Sequence, residues 1–278
     1  MPDGKRASKN HNLIKSFIDK SLSLLKPDGY LLFITPDNWM SYADRNVLIK
    51  RLTELQIVHL NIHGAKKYFK KIGSSFTWYL IQNCSSYKDM EVSGTWKKRE
   101  YEGLVPSGIR RYIPLVYDKL VHSILAKTVD NPNLEKFKVE TSSDLHKYTK
   151  RDLIVDEKDD EHQFKLIHTP KQTVWASRAH KFQKKYKVFI STTDKYKVFV
   201  DNCGMTQSIA FIRCSSKKKA TEFMKMLDHP LYIFINNICR WGNFNNIRIL
   251  QNFPISTTEN PYECFGITEE EQKFITEN

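Results

Sequence analysis

The hydrophobic pattern of the amino-terminal region first follows a helical period and then becomes continuous. Five apolar residues recur at helical spacing and predict an amphipathic helix over residues 11–26. They are Leu13, Phe17, Ile18, Leu22 and Leu25. A Pro-Asp-Gly turn at 27–29 ends this helix. The unbroken apolar run from Tyr30 to Ile34 is typical of a strand that helices cover on both faces.

Similar patterns predict further elements up to about residue 96. A second helix is expected over 43–55, followed by strands over 56–62, 76–81 and 91–96. The order helix, strand, helix, strand, strand indicates the second half of an open α/β sheet. A half-sheet of this kind would leave one edge strand exposed.

Closely spaced proline and glycine residues indicate a division of the chain near residue 105. Pro106, Gly108 and Pro114 fall close together and indicate a linker, so we predict one domain over 1–105 and a second over 106–278. The second region combines predicted helices with short strand-like runs, which favours a mixed α+β domain. The helices are expected over 118–127, 217–227 and 231–239, and the strands over 164–168, 186–191, 197–200 and 208–213.

Charge and cysteine content narrow the class of protein. The 44 Lys and Arg residues outnumber the 31 Asp and Glu residues, which gives a net charge of +13 and favours a polyanionic partner. The five cysteines include no Cys-x-x-Cys pair, so neither a zinc site nor a disulfide framework is indicated. No apolar run approaches the roughly 18 residues of a membrane span. We therefore expect an intracellular protein without a membrane partner.

Several phrases of the sequence occur in an order that resembles one enzyme family. They are Leu24–Met40, Lys187–Ser191, Gly204–Gln207, Ile209–Ile212, Arg240–Asn245, Phe253–Ile255 and Phe265–Glu271. Together they resemble the adenine-N6 DNA methyltransferases of restriction–modification systems, in the type II and IIG, TaqI-like class. The resemblance implies an α/β fold: the second half of a Rossmann-like methyltransferase sheet, followed by a mixed α+β target-recognition domain that binds double-stranded DNA.

Two motifs on which that family's chemistry depends are absent from the 278 residues. No two glycines are separated by a single residue, so there is no Gly-rich turn for S-adenosylmethionine. No Pro-Pro occurs, so there is no Asn-Pro-Pro-Tyr loop to hold a flipped adenine, and Asn260-Pro261-Tyr262 reads as a turn. We expect a carboxyl-terminal portion that binds no cofactor alone, whether as a domain, one half of a split gene or a remnant.

Four residues are candidates for a base pocket. Asn38 and Trp39 follow the first predicted strand, at the edge where open α/β sheets place ligands. Phe76 and Trp78 belong to the strand that the resemblance places in the pocket wall, and alternation puts them on one face. The alternatives are a helix cap for Asn38 and core packing for the aromatic rings.

The candidate DNA contacts lie in loops of both predicted domains. Lysines that could contact phosphate crowd one short loop, and amide and guanidinium side chains that could read base edges lie near the recognition phrases. The set comprises Lys66, Lys67, Lys70, Lys71, Lys171, Gln172, Arg178, Thr206, Gln207, Arg240, Trp241, Asn243 and Asn245. A solvated basic loop and a packed helix end at Arg240 and Trp241 are the alternatives.

The leading hypothesis is a DNA-binding, target-recognising portion of an adenine-N6 methyltransferase that transfers no methyl group alone. A restriction endonuclease component is a second reading, motivated by Asp156-Glu157-Lys158. A third is an interaction subunit for a polypeptide that carries the catalytic motifs. No metal site is predicted, because His59 and His63 resemble a zinc pair only on a helix and we expect a strand there.

Overall fold

The computed structural model describes residues 13–44, 46–193 and 195–278. The chain forms two compact units, Met1–Lys119 and Leu120–Asn278. The amino-terminal predictions for residues 11 and 12 lie outside the described residues.

The described residues of unit 1 form two helices and five strands. In chain order they are α1 Leu13–Leu24, β1 Tyr30–Pro36, α2 Val47–Thr53, β2 Leu55–Ile62, β3 Phe76–Ser85, β4 Met90–Trp96 and β5 Arg99–Val105. Single 3-10 turns lie at Asn38–Met40 and Gly64–Tyr68. The predicted helices and strands of this region are confirmed, and β5 was not predicted.

The five strands of unit 1 form one mixed sheet in the order β1-β3-β2-β4-β5. Strand β3 is antiparallel to both β1 and β2, whereas β2 and β4 run parallel. Strands β4 and β5 form an antiparallel hairpin whose turn residues, Lys97 and Lys98, both have positive φ. The predicted α/β sheet is present, and β1 lies at one edge of it.

The prediction that helices cover β1 on both faces was wrong. Tyr30, Leu32 and Ile34 are 58%, 63% and 51% exposed, whereas Thr35 and its neighbours on β3, such as Tyr79, point into the core. Both helices contact the sheet through its edge and centre, at β1 and β2. An apolar run therefore indicated a strand correctly but did not indicate how many of its faces are covered.

The segment after β5 packs onto unit 1 instead of leaving it as a linker. Tyr112, Ile113, Val116 and Tyr117 are buried, and the amide of Ile113 donates to the carbonyl of Met40 at 2.9 Å. The prolines and Gly108 interrupt secondary structure here, but the apolar residues between them hold the chain to the unit. The chain divides into its two compact units between residues 119 and 120.

In unit 2, six helices and eight strands are present among the residues that the structure describes. The helices are α3 Lys119–Lys127, α4 Lys217–Leu227, α5 Pro230–Ile238, α6 Ile247–Leu250, α7 Pro261–Cys264 and α8 Glu269–Glu277. The strands are β6 Glu140–Thr141, β7 Ile154–Val155, β8 Phe164–Thr169, β9 Gln172–Ala176, β10 Lys187–Ser191, β11 Val198–Asp201, β12 Gly204–Met205 and β13 Ile209–Arg213.

The strands of unit 2 form two four-stranded sheets, in the orders β11-β10-β13-β6 and β12-β8-β9-β7. Residues of both sheets share one buried cluster, which includes Ile167, Phe189, Met205 and Phe211. Segments 187–191, 204–207 and 209–212, which carry the family resemblance, therefore contribute to one core. The mixed α+β character predicted for this region is present.

Candidate nucleic-acid interface

An open pocket of about 580 Å³ lies on the strands of unit 1. Asn61 and Trp78 form part of its lining, together with the loop residues Lys67 and Tyr68 and the carboxylates of β5. The Trp78 ring stacks on His59 with ring centroids 4.6 Å apart and planes 5° from parallel. Of the four base-pocket candidates, Trp78 lines this pocket.

The other three base-pocket candidates have different surroundings. Trp39 is 4% exposed, donates from Nε1 to Thr35 Oγ1 at 3.1 Å and meets Tyr79 edge-on, so it is a core residue. Phe76 is half-buried and stacks on Phe69, with centroids 4.2 Å apart. Asn38 is exposed in the 3-10 turn after β1. The four residues therefore do not form one pocket in this structure.

A carboxylate and an imidazole meet where β1 and β2 end. Asp37 Oδ2 lies 2.8 Å from His63 Nδ1, and the Asp37 side chain is largely buried. His63 adopts positive φ directly after the end of β2. This pair was not predicted from the sequence, where His63 was weighed only as a metal ligand, although both residues follow predicted strands at the edge where open α/β sheets place ligands.

The basic loop of unit 1 contains lysines with two different roles. Lys66 donates from Nζ to the carbonyls of Ile72 and Ser74, at 2.7 Å for Ser74, and so closes the loop. Lys67 lies over the Tyr68 ring at 5.2 Å. Lys70 and Lys71 are exposed. Exposed ammonium groups can contact phosphate, whereas Lys66 is committed to the loop itself.

Arg178, which was predicted to contact DNA, forms an ion pair with another residue of unit 2. Its guanidinium Nη2 lies 2.9 Å from Asp144 Oδ1, and this hydrogen bond holds the pKa of Asp144 below its usual value. Lys171 and Gln172 are both exposed at the turn between β8 and β9. The turn therefore presents an amide and an ammonium group to solvent, while Arg178 neutralises a neighbouring carboxylate.

A buried histidine fixes the segment that contains Arg178. His180 is 2% exposed, and its Nδ1 accepts from the amide of Phe182 at 3.1 Å. The proton is therefore on Nε2, which donates to Ser142 Oγ at 3.0 Å. Burial lowers the pKa of His180 to about 4. Because Ser142 accepts this bond, the pair is structural and does not activate the serine as a nucleophile.

Thr206 and Gln207 hold neighbouring loops together. Thr206 is fully buried and lies 2.7 Å from His168 Nδ1, so it cannot read a base. Burial also lowers the pKa of His168. Gln207 is half-buried, and its Oε1 accepts from the amide of Lys147 at 2.9 Å. In this structure both candidates position loops.

The polar-aromatic cluster after α5 is a tightly anchored loop over residues 240–246. Asn245 is 3% exposed and donates from Nδ2 to the carbonyl of Ser191 at 2.8 Å. Arg240 donates from Nη2 to the carbonyl of Asn243 at 2.8 Å, which closes the turn. Trp241 is half-buried and Asn243 is exposed. Asn245 and Arg240 therefore build the loop, and Asn243 is presented by it.

The amino-terminal part of unit 1 is similar in sequence to a known protein family. Residues 3–69 match the Eco57I restriction-modification methylase family. The match covers α1, β1, α2 and β2 of unit 1 and confirms the predicted resemblance to a restriction–modification methylase. No curated protein sequence matches the chain.

Two solved enzymes of restriction–modification systems are similar in structure. The type IIL enzyme MmeI, solved in complex with DNA, matches 84% of this chain and 40% of its own, with a TM-score of 0.53 and 6% identity. The type IIG restriction endonuclease BpuSI matches 94% of this chain and 43% of its own, with a TM-score of 0.33 and 9% identity. The likeness to MmeI concerns the fold alone, and this chain spans less than half the length of either enzyme.

The nuclease-like phrase Asp156-Glu157-Lys158 lies outside the segment that matches the methylase family. Asp156, from the nuclease-like phrase, is exposed and pairs with Lys147 at 2.6 Å, which lowers its pKa. Among the described residues, no group of three His, Cys, Asp or Glu side chains could hold a metal ion. Across the same residues, no helix is long and apolar enough to cross a membrane.

Proposed function

We propose that this chain is the DNA-binding, target-recognising portion of a site-specific, S-adenosylmethionine-dependent adenine-N6 DNA methyltransferase. The observation that carries the proposal is the match of residues 3–69 to the Eco57I methylase family. The recognition phrases of unit 2 and the net charge of +13 support it, because affinity for DNA is largely electrostatic.

Side-chain exposure separates the residues that could contact DNA from those that bind within the protein. Lys70 and Lys71 contact phosphate, since both are exposed on the basic loop. Lys171, Gln172 and Asn243 stand on exposed turns of unit 2 and are the candidates for reading base edges. Lys66 closes the basic loop of unit 1, and Asn245 anchors the loop that presents Asn243. Arg178 and Thr206 bind other residues within unit 2.

The residues at the strand ends do not fit the cofactor. Binding S-adenosylmethionine in this fold requires a Gly-rich turn and an acidic residue for the ribose, and the 278 residues contain no such turn. The carboxylate at the ends of β1 and β2, Asp37, is largely buried and paired with His63. S-adenosylmethionine therefore belongs to the complete enzyme, and no methyl transfer is assigned to this chain alone.

A salt series tests DNA binding directly. Anisotropy of a labelled random duplex pool should show binding that weakens steeply as salt rises, with a few sequences enriched at high salt. Absence of binding even at low salt would contradict the proposal. Adenine methylation by the purified chain with S-adenosylmethionine would contradict the assignment of a non-catalytic role.

The open side of unit 1 favours a second role, as a subunit that completes a partner. The edge strand β1 carries three exposed apolar residues, Tyr30, Leu32 and Ile34. An edge of this kind is a template for pairing with another strand. The expected partner is a polypeptide that carries the Gly-rich and Asn-Pro-Pro-Tyr motifs, which this sequence lacks.

A further inference from the structure

The loop over residues 240–246 is fixed to unit 2 by the residue that follows its tip. The amide of Asn245 donates to the carbonyl of Thr192 at 2.9 Å, and its side chain donates to Ser191. Its Oδ1 accepts from Asn236 Nδ2 at 3.0 Å. Because these groups are buried, the loop cannot move without losing several hydrogen bonds.

The same loop presents one large apolar ring to solvent. Phe244 is 63% exposed, although the residue next to it is 3% exposed. Gly242 has φ of +79°, a conformation that favours glycine, and it forms the turn that Arg240 closes by binding the carbonyl of Asn243. The ring therefore stands on a preorganised turn.

The surroundings of the ring favour a polyanion. A bridge pairs Phe244 with Thr193, which brings the loop beside the turn between β10 and β11. Lys195 and Lys197 are exposed on that turn, and Asp194, which directly precedes them, lies outside the described residues. From residue 229 to residue 258 the sequence contains two arginines and no Asp or Glu.

We propose that Phe244 is a stacking wedge that packs against a base step of bound DNA, while Lys195 and Lys197 contact the flanking phosphates. This inference rests on the proposed function and adds a contact residue to it. A lone exposed aromatic residue is common on protein surfaces. This ring differs because a hydrogen-bonded turn holds it and because the exposed Lys195 and Lys197 lie on the same turn as its bridge partner Thr193. Apolar wedges inserted at base steps are an established mode of DNA contact.

Stacking of this kind tolerates any base, because every base has a π face. Phe244 therefore contributes affinity and local deformation rather than readout of one base. Its insertion requires partial unstacking of the duplex, which costs less at a mismatched step than at a paired one. The preference for a mismatched duplex is consequently the signature that separates a wedge from a phosphate contact.

The test uses the full chain, a labelled duplex and the same duplex with one central mismatch. Wild-type protein should bind the mismatched duplex more tightly. Phe244→Ala should lose this preference and bind about tenfold or more weakly, with an unchanged salt slope. Phe244→Leu should keep part of the preference. Lys195→Ala and Lys197→Ala should each reduce the salt slope by about 0.9.

Tyr87→Ala is the matched control, because Tyr87 is 58% exposed and belongs to unit 1. It should bind both duplexes as the wild type does. If Phe244→Ala binds both duplexes like the wild type, the wedge is overturned while DNA binding stands. If the wild type binds neither duplex, both the wedge and the proposed function are overturned.

Discussion

At the scale of single residues, side chains of one type have opposite roles in this protein. Lys66 and Lys71 belong to the same basic loop, yet Lys66 binds two backbone carbonyls and Lys71 is exposed. Residue type and position predicted a basic loop, and the structure contains one. Which lysine closes the loop depends on carbonyl groups that the chain brings together only when folded.

This difference predicts opposite phenotypes for two lysine substitutions. Lys71→Ala should leave the free energy of unfolding within about 0.5 kcal/mol of wild type and reduce the salt slope of DNA binding by about 0.9. Lys66→Ala should lower the free energy of unfolding by about 1 kcal/mol, because it removes hydrogen bonds that close the loop. Urea unfolding and anisotropy measure the two quantities, and a stability loss in Lys71→Ala alone would contradict the assignment.

Buried His180 makes stability depend on pH in the acidic range. Its pKa is about 4 in the folded chain, below the usual value near 6.5, so the unfolded chain binds its proton first. Stability from this group is therefore complete above pH 6.5 and is lost as pH falls toward 4. Between pH 7 and pH 5 the loss should be about 2 kcal/mol.

His180→Gln should remove that part of the pH dependence. Urea unfolding at pH 5 and pH 7 measures the difference for both proteins. Carboxylates with lowered pKa that have no contact with His180, such as Glu271, contribute in both proteins and cancel in the comparison. Equal pH dependence in wild type and variant would show that His180 is not the responsible group.

At the scale of elements, hydrophobic periodicity predicted most helices and strands, but not their neighbours. The helix over 217–227 agrees with α4, Lys217–Leu227. Strands β5 and β9 were missed: β5 is rich in polar residues, β9 has only five residues, and the two pair with β4 and β8. The exposure of one face of β1 was also missed, because the packing of helices on a strand depends on the assembled sheet and not on the sequence of that strand.

Loop 240–246 provides an element-scale test in two neighbouring asparagines. Asn245→Ala should lower the free energy of unfolding by about 2 kcal/mol, because buried groups of Ser191 and Asn236 lose their partner. Asn243→Ala should change stability by less than about 0.5 kcal/mol, because its side chain is exposed. Thermal or urea unfolding of both variants checks this, and similar losses in both would contradict the anchoring role of Asn245.

At the scale of the whole molecule, sequence predicted two parts but not where they meet. The breaks at Pro106 and Pro114 suggested a linker, whereas Ile113 and Tyr117 pack into unit 1. The sequence shows where proline and glycine interrupt helices and strands, but it does not show which distant residues pack together. The candidate site shows the same limit: its loops were predicted, whereas the division into exposed and committed side chains required the fold.

The exposed apolar side of β1 predicts that unit 1 gains stability from a partner. A polypeptide that carries the Gly-rich and Asn-Pro-Pro-Tyr motifs should raise the melting temperature of the full chain in a concentration-dependent manner, because a ligand of the folded state stabilises it. Leu32→Lys should abolish that rise without lowering the melting temperature of the chain alone, since Leu32 is already 63% exposed. Leu104→Lys on β5, where Leu104 is 56% exposed, is the matched control and should respond as the wild type does. A melting temperature that is unchanged at saturating partner would contradict the pairing role, and it would leave the exposed edge of β1 without this explanation.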